Sequence, residues 1–434
     1  MRQIALINHG CAKNLIDSEL MLGKLAANGY KITLDETKAD IVIINTCSFI
    51  HDAEKESVAS IFNMINAGKK VIIAGCLPQK HKKELQELIP EALAFVGTSD
   101  IDKIVDVIKK VTKTKETRYE VNEKPDYIYP EDVQRQQITM GASSYIKIAD
   151  GCDFNCGYCI IPQLRGKYHS RTIENIVKEA KALAKKGVSE IVLIAQDTTS
   201  YGKDIYGKPS LKELLIELNK IENLSWIRIM YTYPSLLDDE LLMAINSLEK
   251  VVKYIDVPLQ HVSQNMLEAM NRPVMDNKKL IKKIRKLIPN VAIRTTFIVG
   301  YPTETEEDFQ ELYNFIKEMK IDKLGVFEFS KEKNTKAAKL KPQITAKVKR
   351  QRRKQLMELQ QNVSLEKNKK LIGKKIECIV EAINDKGNIV ARTYKDAPEV
   401  DGLIYIDTTT PVNPGDIITC KVTGAVEYDL TGTI

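Results

Sequence analysis

The sequence predicts a multidomain α/β protein: an N-terminal parallel α/β domain, a partial (β/α)6 barrel and a small C-terminal all-β barrel. Three observations carry that expectation. Apolar runs at Ile4–Ile7, Asp40–Ile44 and Lys70–Ala74 each lead into a helical pattern, beginning near Asn14, His51 and Pro78. That is the alternation of a parallel sheet covered by helices. A longer alternation of six strand-then-helix units runs from Tyr145 to about Phe329. From Gly373 onward, short β-like runs are divided by DKG, PEVDG and NPGD turns, the pattern of a small barrel.

The 434 residues suit two to four domains at roughly 100–200 residues each. Residues 1–112 form the N-terminal domain in this reading. Residues 113–134 are polar and Pro-punctuated, a linker able to hold one short strand. The barrel takes residues 135–368. Its candidate strands are Tyr145–Ala149, Glu190–Ala195, Trp226–Tyr231, Tyr254–Val257, Ala292–Phe297 and Leu324–Phe327. An active site is expected at their C-terminal ends. Pro342 closes that region, and Ala346–Lys369 follows as a helix with an apolar stripe through Val348, Leu356, Leu359 and Val363. Residues 369–434 make the β-barrel, in which Cys378 and Cys420 read as core.

Hydrophobic residues at 43% and charged residues at 28% exclude a disordered or fibrous chain. No run approaches the ~18 apolar residues of a membrane helix, and MRQIALINHG lacks a signal peptide's layout. Eight cysteines are too few for a disulfide scaffold and point to ligation or redox chemistry in a reducing compartment, hence a cytoplasmic protein without a membrane partner. The net charge of +7 is local: residues 331–369 hold 13 Lys or Arg against 3 Asp or Glu, whereas 370–434 hold 7 against 10. The basic stripe reads either as a solvated helix between domains or as a nucleic-acid or ribosome contact.

Cys152, Cys156 and Cys159 fall in ADGCDFNCGYCIIP, directly after the first strand of the barrel. Three thiolates on one loop suit a four-iron cluster whose fourth iron stays open. A structural zinc asks for four protein ligands, which His169 would complete. Cys11, Cys47 and Cys76 each lie just past a strand of the N-terminal domain, in NHGCAKN, IINTCSFI and IAGCLPQ. Parallel strands bring such loops to one edge, so these three read as a second cluster site.

The C-x3-C-x2-C motif with Tyr158 and the six-unit barrel resemble the radical S-adenosylmethionine superfamily. The resemblance implies a cluster that binds S-adenosylmethionine and cleaves it to a hydrogen-abstracting radical. The N-terminal cysteine segments resemble the methylthiotransferases, which carry an auxiliary four-iron cluster. RGKYHSR (165–171), LIAQDTTSYG (193–202), DVPLQHVSQNMLEAMNRP (256–273) and FIVGYPTETEEDF (297–309) resemble that family's radical domain, and the tail resembles its TRAM domain. YTYPSLLDDEL (231–241), APEVDG (397–402) and EYDLTG (427–432) resemble the branch that methylthiolates the β-carbon of an aspartate in the twelfth small-subunit ribosomal protein. Two departures stand out: Asn8-His9-Gly10 replaces Ser-Leu-Gly, and KEKN (331–334) replaces a Pro-Glu-Glu-Gly loop expected near the substrate.

The resemblance implies two four-iron clusters, S-adenosylmethionine, a basic ribosomal protein as substrate and an electron donor such as flavodoxin or ferredoxin. Tyr158, Gln196, Asp197 and Gly300 are candidates for the S-adenosylmethionine pocket, because they lie by the cluster loop or just past barrel strands. Arg294 is expected to point toward a carboxylate inside the barrel. Asp396, Glu399 and Asp401 cluster in a turn of the acidic tail and are candidates for steering a basic substrate. A tRNA adenosine methylthiotransferase is the alternative, with an acidic tail arguing against it. A non-catalytic ribosome-binding protein with structural clusters is a further one.

Overall fold

The computed structural model describes residues 2–114, 116–126, 129, 135–138, 141–384, 387–407 and 410–434. Part of the expected linker, including residues 130–134, lies outside the described residues. The chain divides into two compact units. One comprises residues 1–139, 149–155 and 159–169, and the other residues 140–148, 156–158 and 170–434.

The first unit is built on a six-stranded parallel sheet. Its strands are β1 (Gln3–Asn8), β2 (Lys31–Ile32), β3 (Ile41–Thr46), β4 (Lys70–Gly75), β5 (Ala94–Val96) and β6 (Arg118–Glu120), in the order β2-β1-β3-β4-β5-β6. Strand β6 is the short strand anticipated within the linker. The β3 strand is buried along its whole length and β4 nearly so, which explains the unbroken apolar runs that mark them in the sequence. Val42, Ile44, Val71, Ile73 and Phe95 form the core with Ile61 and Leu77. Two short strands, β8 (Ala149–Asp150) and β9 (His169–Ser170), border the loop that carries the C-x3-C-x2-C motif.

In the second unit six parallel strands run in sequence order as two triplets. One is β7 (Ser143–Lys147), β10 (Glu190–Ile194) and β11 (Trp226–Ile229); the other is β12 (Tyr254–Asp256), β13 (Ala292–Val299) and β14 (Lys323–Glu328). All six overlap the expected strands. Side-chain caps start four of the helices between them. Thr172, Asp238 and Asp276 accept from Asn175 N, Leu241 N and Lys279 N, and Thr305 and Asp308 form a reciprocal capping box. The helix Ala346–Lys369 follows, capped by Thr345.

The tail closes into a five-stranded barrel, β15 (Lys375–Ile383), β16 (Ile389–Thr393), β17 (Ile404–Asp407), β18 (Ile417–Ala425) and β19 (Leu430–Thr433), in the order β15-β16-β17-β19-β18. Cys378 and Cys420 lie in its core, with their sulfurs 3.3 Å apart.

The small barrel is seated on the N-terminal ends of the large barrel's strands. Glu190, at the start of β10, receives Arg228 Nε at 2.7 Å and Arg392 of the tail at 2.5 Å, and all three side chains are buried. The indole N–H of Trp226 donates to Glu377 Oε1 at 2.8 Å. Arg294 donates to Asp401 Oδ1 at 2.9 Å, Tyr254 OH to Asp401 Oδ2 at 2.7 Å, and Lys323 pairs with Asp396. Glu190, Trp226, Tyr254 and Lys323 each begin a strand, and Arg294 is the third residue of its own, so the tail covers the end opposite the one where such barrels do chemistry.

Candidate metal centres

The N-terminal sheet brings Cys11, Cys47 and Cys76 to one edge. In the register of β1, β3 and β4, Asn8 stands beside Asn45, Asn45 beside Ala74 and Thr46 beside Gly75. Cys47 and Cys76 come immediately after the last residues of β3 and β4, and Cys11 three residues after β1. The strand order reverses between β1 and β3, and such a switch point opens a crevice at the carboxyl ends of the strands. Gly10 has φ +100°, and a Cβ there would stand 2.8 Å from Cys47 Cβ and 3.1 Å from its sulfur. The glycine therefore lets the Cys11 loop close on Cys47. Cys47 and Cys76 are buried and Cys11 is exposed.

Burial pushes the Cys47 thiol up and the Cys76 thiol up to about 12, against the opposing pull of the Arg165 guanidinium. Three soft sulfur donors at one crevice, two of them shielded from water, fit an iron–sulfur cluster that displaces their protons on binding.

Arg165 joins this crevice to the second cysteine set. It lies six residues after Cys159 and is fully buried, with Nη1 2.6 Å from Asp17 Oδ2 and 3.0 Å from Asp150 Oδ2, and Nη2 2.7 Å from Asn14 Oδ1. Asn14 in turn donates to the carbonyls of His9 and Thr46, and its Oδ1 is 3.9 Å from Cys76 Sγ. Asp150 is two residues before Cys152. Cys76 itself packs against Ile160 and Leu164, and Thr98 Oγ1 donates to Leu164 O at 2.5 Å. A guanidinium buried with two carboxylates and an amide has its charge balanced and fixes the spacing of what it touches.

Within the C-x3-C-x2-C loop, the N–H of Cys152 donates to Gly166 O at 3.1 Å and Cys159 Sγ accepts from Ile161 N at 3.4 Å. In the second unit, Arg272 Nη1 lies 4.0 Å from Cys156 Sγ, and its guanidinium stacks 4.2 Å over the Tyr233 ring. Gly157 donates to Met270 O at 2.7 Å, and a Cβ on it would come 2.7 Å from Tyr301 OH. Tyr158 packs against a cluster that includes Met266, Met270, Tyr301 and Phe329. These donors aimed at cysteine sulfur suit a cluster, whose potential such hydrogen bonds tune. His169 is engaged elsewhere: its Nε2 lies 2.6 Å from Asp126 Oδ1.

The other expected site residues fare unevenly. Gln196 and Asp197 follow β10 at its C-terminal end, as expected. The Asp197 carboxylate accepts from Thr199 N at 2.9 Å and from the hydroxyls of Thr199 and Ser200, so it shapes its own loop. Gly300 has φ +68°, its N–H donates to Glu304 Oε2, and a Cβ would stand 2.3 Å from Lys349 Cγ. Its missing side chain leaves room for Lys349 of the helix Ala346–Lys369. Arg294 does meet carboxylates, Asp401 at 2.9 Å and Asp256 at 3.7 Å.

The acidic turn requires a larger correction. Asp396 and Asp401 have side chains only 8% and 3% exposed, paired with Lys323 and Arg294. They bind the tail to the large barrel and are not presented to a partner. Glu399 alone of the three is exposed. The tail's net charge therefore overstated its surface acidity. Sequence reasoning also passed over Arg165, Asn14, Asp17 and Arg272. Arg165 and Arg272 sit inside the quoted segments RGKYHSR and NMLEAMNRP, but only their buried partners distinguish them from ordinary surface cations.

Residues 146–316 match the radical SAM superfamily, residues 3–97 the uncharacterized protein family UPF0004, and residues 372–434 the TRAM domain. The chain is 48% identical to a ribosomal protein uS12 methylthiotransferase RimO from Caldanaerobacter subterraneus subsp. tengcongensis, with 100% of each chain covered. It is 46% identical to the protein of the same name from a Thermoanaerobacter species, again over 100% of each, and 44% identical to that from Lachnoclostridium phytofermentans, over 99% of each. Among solved structures, the radical S-adenosylmethionine methyltransferase TsrM from Kitasatospora setae, with cobalamin and a [4Fe-4S] cluster bound, shares the fold. Its TM-score is 0.56 at 15% identity, with 77% of each chain covered.

Proposed function

The chain belongs to the ribosomal protein uS12 methylthiotransferase (RimO) family, and from that premise we propose how its residues divide the work. It is a radical S-adenosylmethionine enzyme that adds a methylthio group to the β-carbon of an aspartate in the twelfth small-subunit ribosomal protein. Cys152, Cys156 and Cys159 would hold the cluster that binds S-adenosylmethionine, and Cys11, Cys47 and Cys76 the auxiliary cluster. When bound, these groups supply the one-electron cleavage of S-adenosylmethionine and the sulfur that is transferred. Arg272 directs a donor at Cys156 Sγ, Tyr158 walls the loop, and Arg165 holds the auxiliary crevice against the strand leading to Cys152. The single observation that carries this reading is the convergence of three cysteines on adjacent strand ends, tied through Arg165 to the second cysteine loop. A small electron carrier of the flavodoxin or ferredoxin type would feed the reaction in the cytoplasm. Among the described residues no helix is long and apolar enough to cross a membrane.

The experiment is anaerobic reconstitution with iron and sulfide, followed by incubation with S-adenosylmethionine, a reductant and either the ribosomal protein or tRNA. Mass spectrometry should find one methylthio group on an aspartate of the protein and none on tRNA. Methylthiolated adenosine with an unmodified protein would reverse the assignment.

A further inference from the structure

The function proposed above leaves the basic stripe unused. Residues 331–354 expose Lys331, Lys333, Lys336, Lys339, Lys347 and Arg350, none paired with a carboxylate among the described residues. The one carboxylate in that segment, Glu332, is buried and accepts from Ser330 Oγ at 2.7 Å. The stripe has a definite place. Lys349 Nζ donates to Phe329 O at 2.7 Å, just past β14, and the Lys349 side chain fills the space over Gly300, just past β13. At its other end the same helix pairs Lys367 with Asp322, just before β14. The cations of the first helical turns therefore stand at the C-terminal ends of the barrel strands, where such barrels do chemistry. The tail covers the opposite ends.

Helix stability does not account for them. The first turn of Ala346–Lys369 has no acidic residue, and Lys347 and Arg350 face the positive end of the helix dipole, where cations are unfavourable. Unpaired cations at a dipole's wrong end, gathered beside a catalytic mouth, describe a surface made for a polyanion. We propose that this rim binds the phosphate backbone of RNA, and that the enzyme engages its ribosomal-protein substrate when that protein is already seated on RNA. The inference rests on the function proposed above and names the state of the substrate.

The test replaces Lys336, Lys339, Lys347 and Arg350 together by Gln in the full-length reconstituted enzyme. Binding to small ribosomal subunits and to the RNA-free ribosomal protein is measured between 50 and 200 mM salt, alongside methylthio transfer to each. Four phosphate contacts give a log–log salt slope of roughly 3, so over that range the wild type should lose about 50-fold more affinity for the subunit than the variant does. Cleavage of S-adenosylmethionine and transfer to the RNA-free protein should match wild type, and the melting temperature should not fall. Equal subunit affinity and salt slope in the two enzymes would overturn the proposal. So would an equal loss on the RNA-free protein, which would mean that the rim reads protein. If neither enzyme modifies the ribosomal protein in any form, it is the proposed function that fails.

Discussion

Replacing Glu190 by Gln tests how the small barrel is held. The carboxylate is fully buried, receives Arg228 and Arg392, and also accepts from Ser143 Oγ at 2.7 Å. Burial alone would raise its pKa, but the two guanidiniums more than offset this and hold it at about 2, against 4.5 for a free glutamate. A group titrating near 4.5 unfolded and near 2 folded contributes about 3 kcal/mol at neutral pH. Because the folded value is depressed, that stability is fully present above pH 4.5 and is lost as pH falls toward 2. Removing one partner of a buried ion pair independently suggests a cost of about 3–5 kcal/mol. The assay is built into the chain: Trp226, the single tryptophan, donates to Glu377 across the same junction. Urea unfolding followed by its fluorescence should place the variant about 3 kcal/mol below wild type at pH 7, narrowing to about half of that near pH 3. A difference under ~1 kcal/mol at pH 7, or one that does not shrink in acid, would refute the reasoning.

Replacing Cys11, Cys47 and Cys76 by Ala should remove about half of the roughly eight irons expected from two four-iron clusters, with S-adenosylmethionine cleavage retained and methylthio transfer abolished. An iron assay showing full loading would contradict the auxiliary site. Gly10→Ala should produce the same pattern less completely, because the new methyl would press on Cys47 at 2.8 Å; cluster absorbance and iron content read it out. Asp401→Asn should lower stability by roughly 3 kcal/mol by leaving Arg294 without its close partner. The salt dependence of substrate association should stay as in wild type, whereas a steering role would flatten it.

Much of the architecture was legible because buried parallel strands write themselves as unbroken apolar runs. Ile41–Thr46 and Glu190–Ile194 are buried at every position, and the helices Ile173–Lys185, Asp239–Ser247 and Asn277–Leu287 begin at side-chain caps. The cysteine sets were legible because loops after parallel strands share an edge, which spacing alone can reveal. What escaped depended on pairing across long separations. Arg165 meets Asp17 across 148 residues, and Arg294 meets Asp401 across 107. Charge counted along a chain cannot tell an ion pair from a free ion, which is why the turn of Asp396 and Asp401 read as a docking surface. The same blindness hid the functional reach of the basic stripe, whose position beside the barrel mouth is a fact of folding.

The Arg165 hub also bears on how such enzymes can be cut and recombined. Sequence boundaries suggest a detachable N-terminal domain, yet that compact unit includes residues 149–155 and 159–169 from beyond the linker. Severed at the linker, it would keep Asp17 and Asn14 without the guanidinium they surround, and Cys76 without the Ile160 and Leu164 that cover it. A chimaera that grafts the N-terminal domain of one relative onto the barrel of another would therefore have to transplant the segments matching 149–155 and 159–169 along with it, since they belong to the same compact unit.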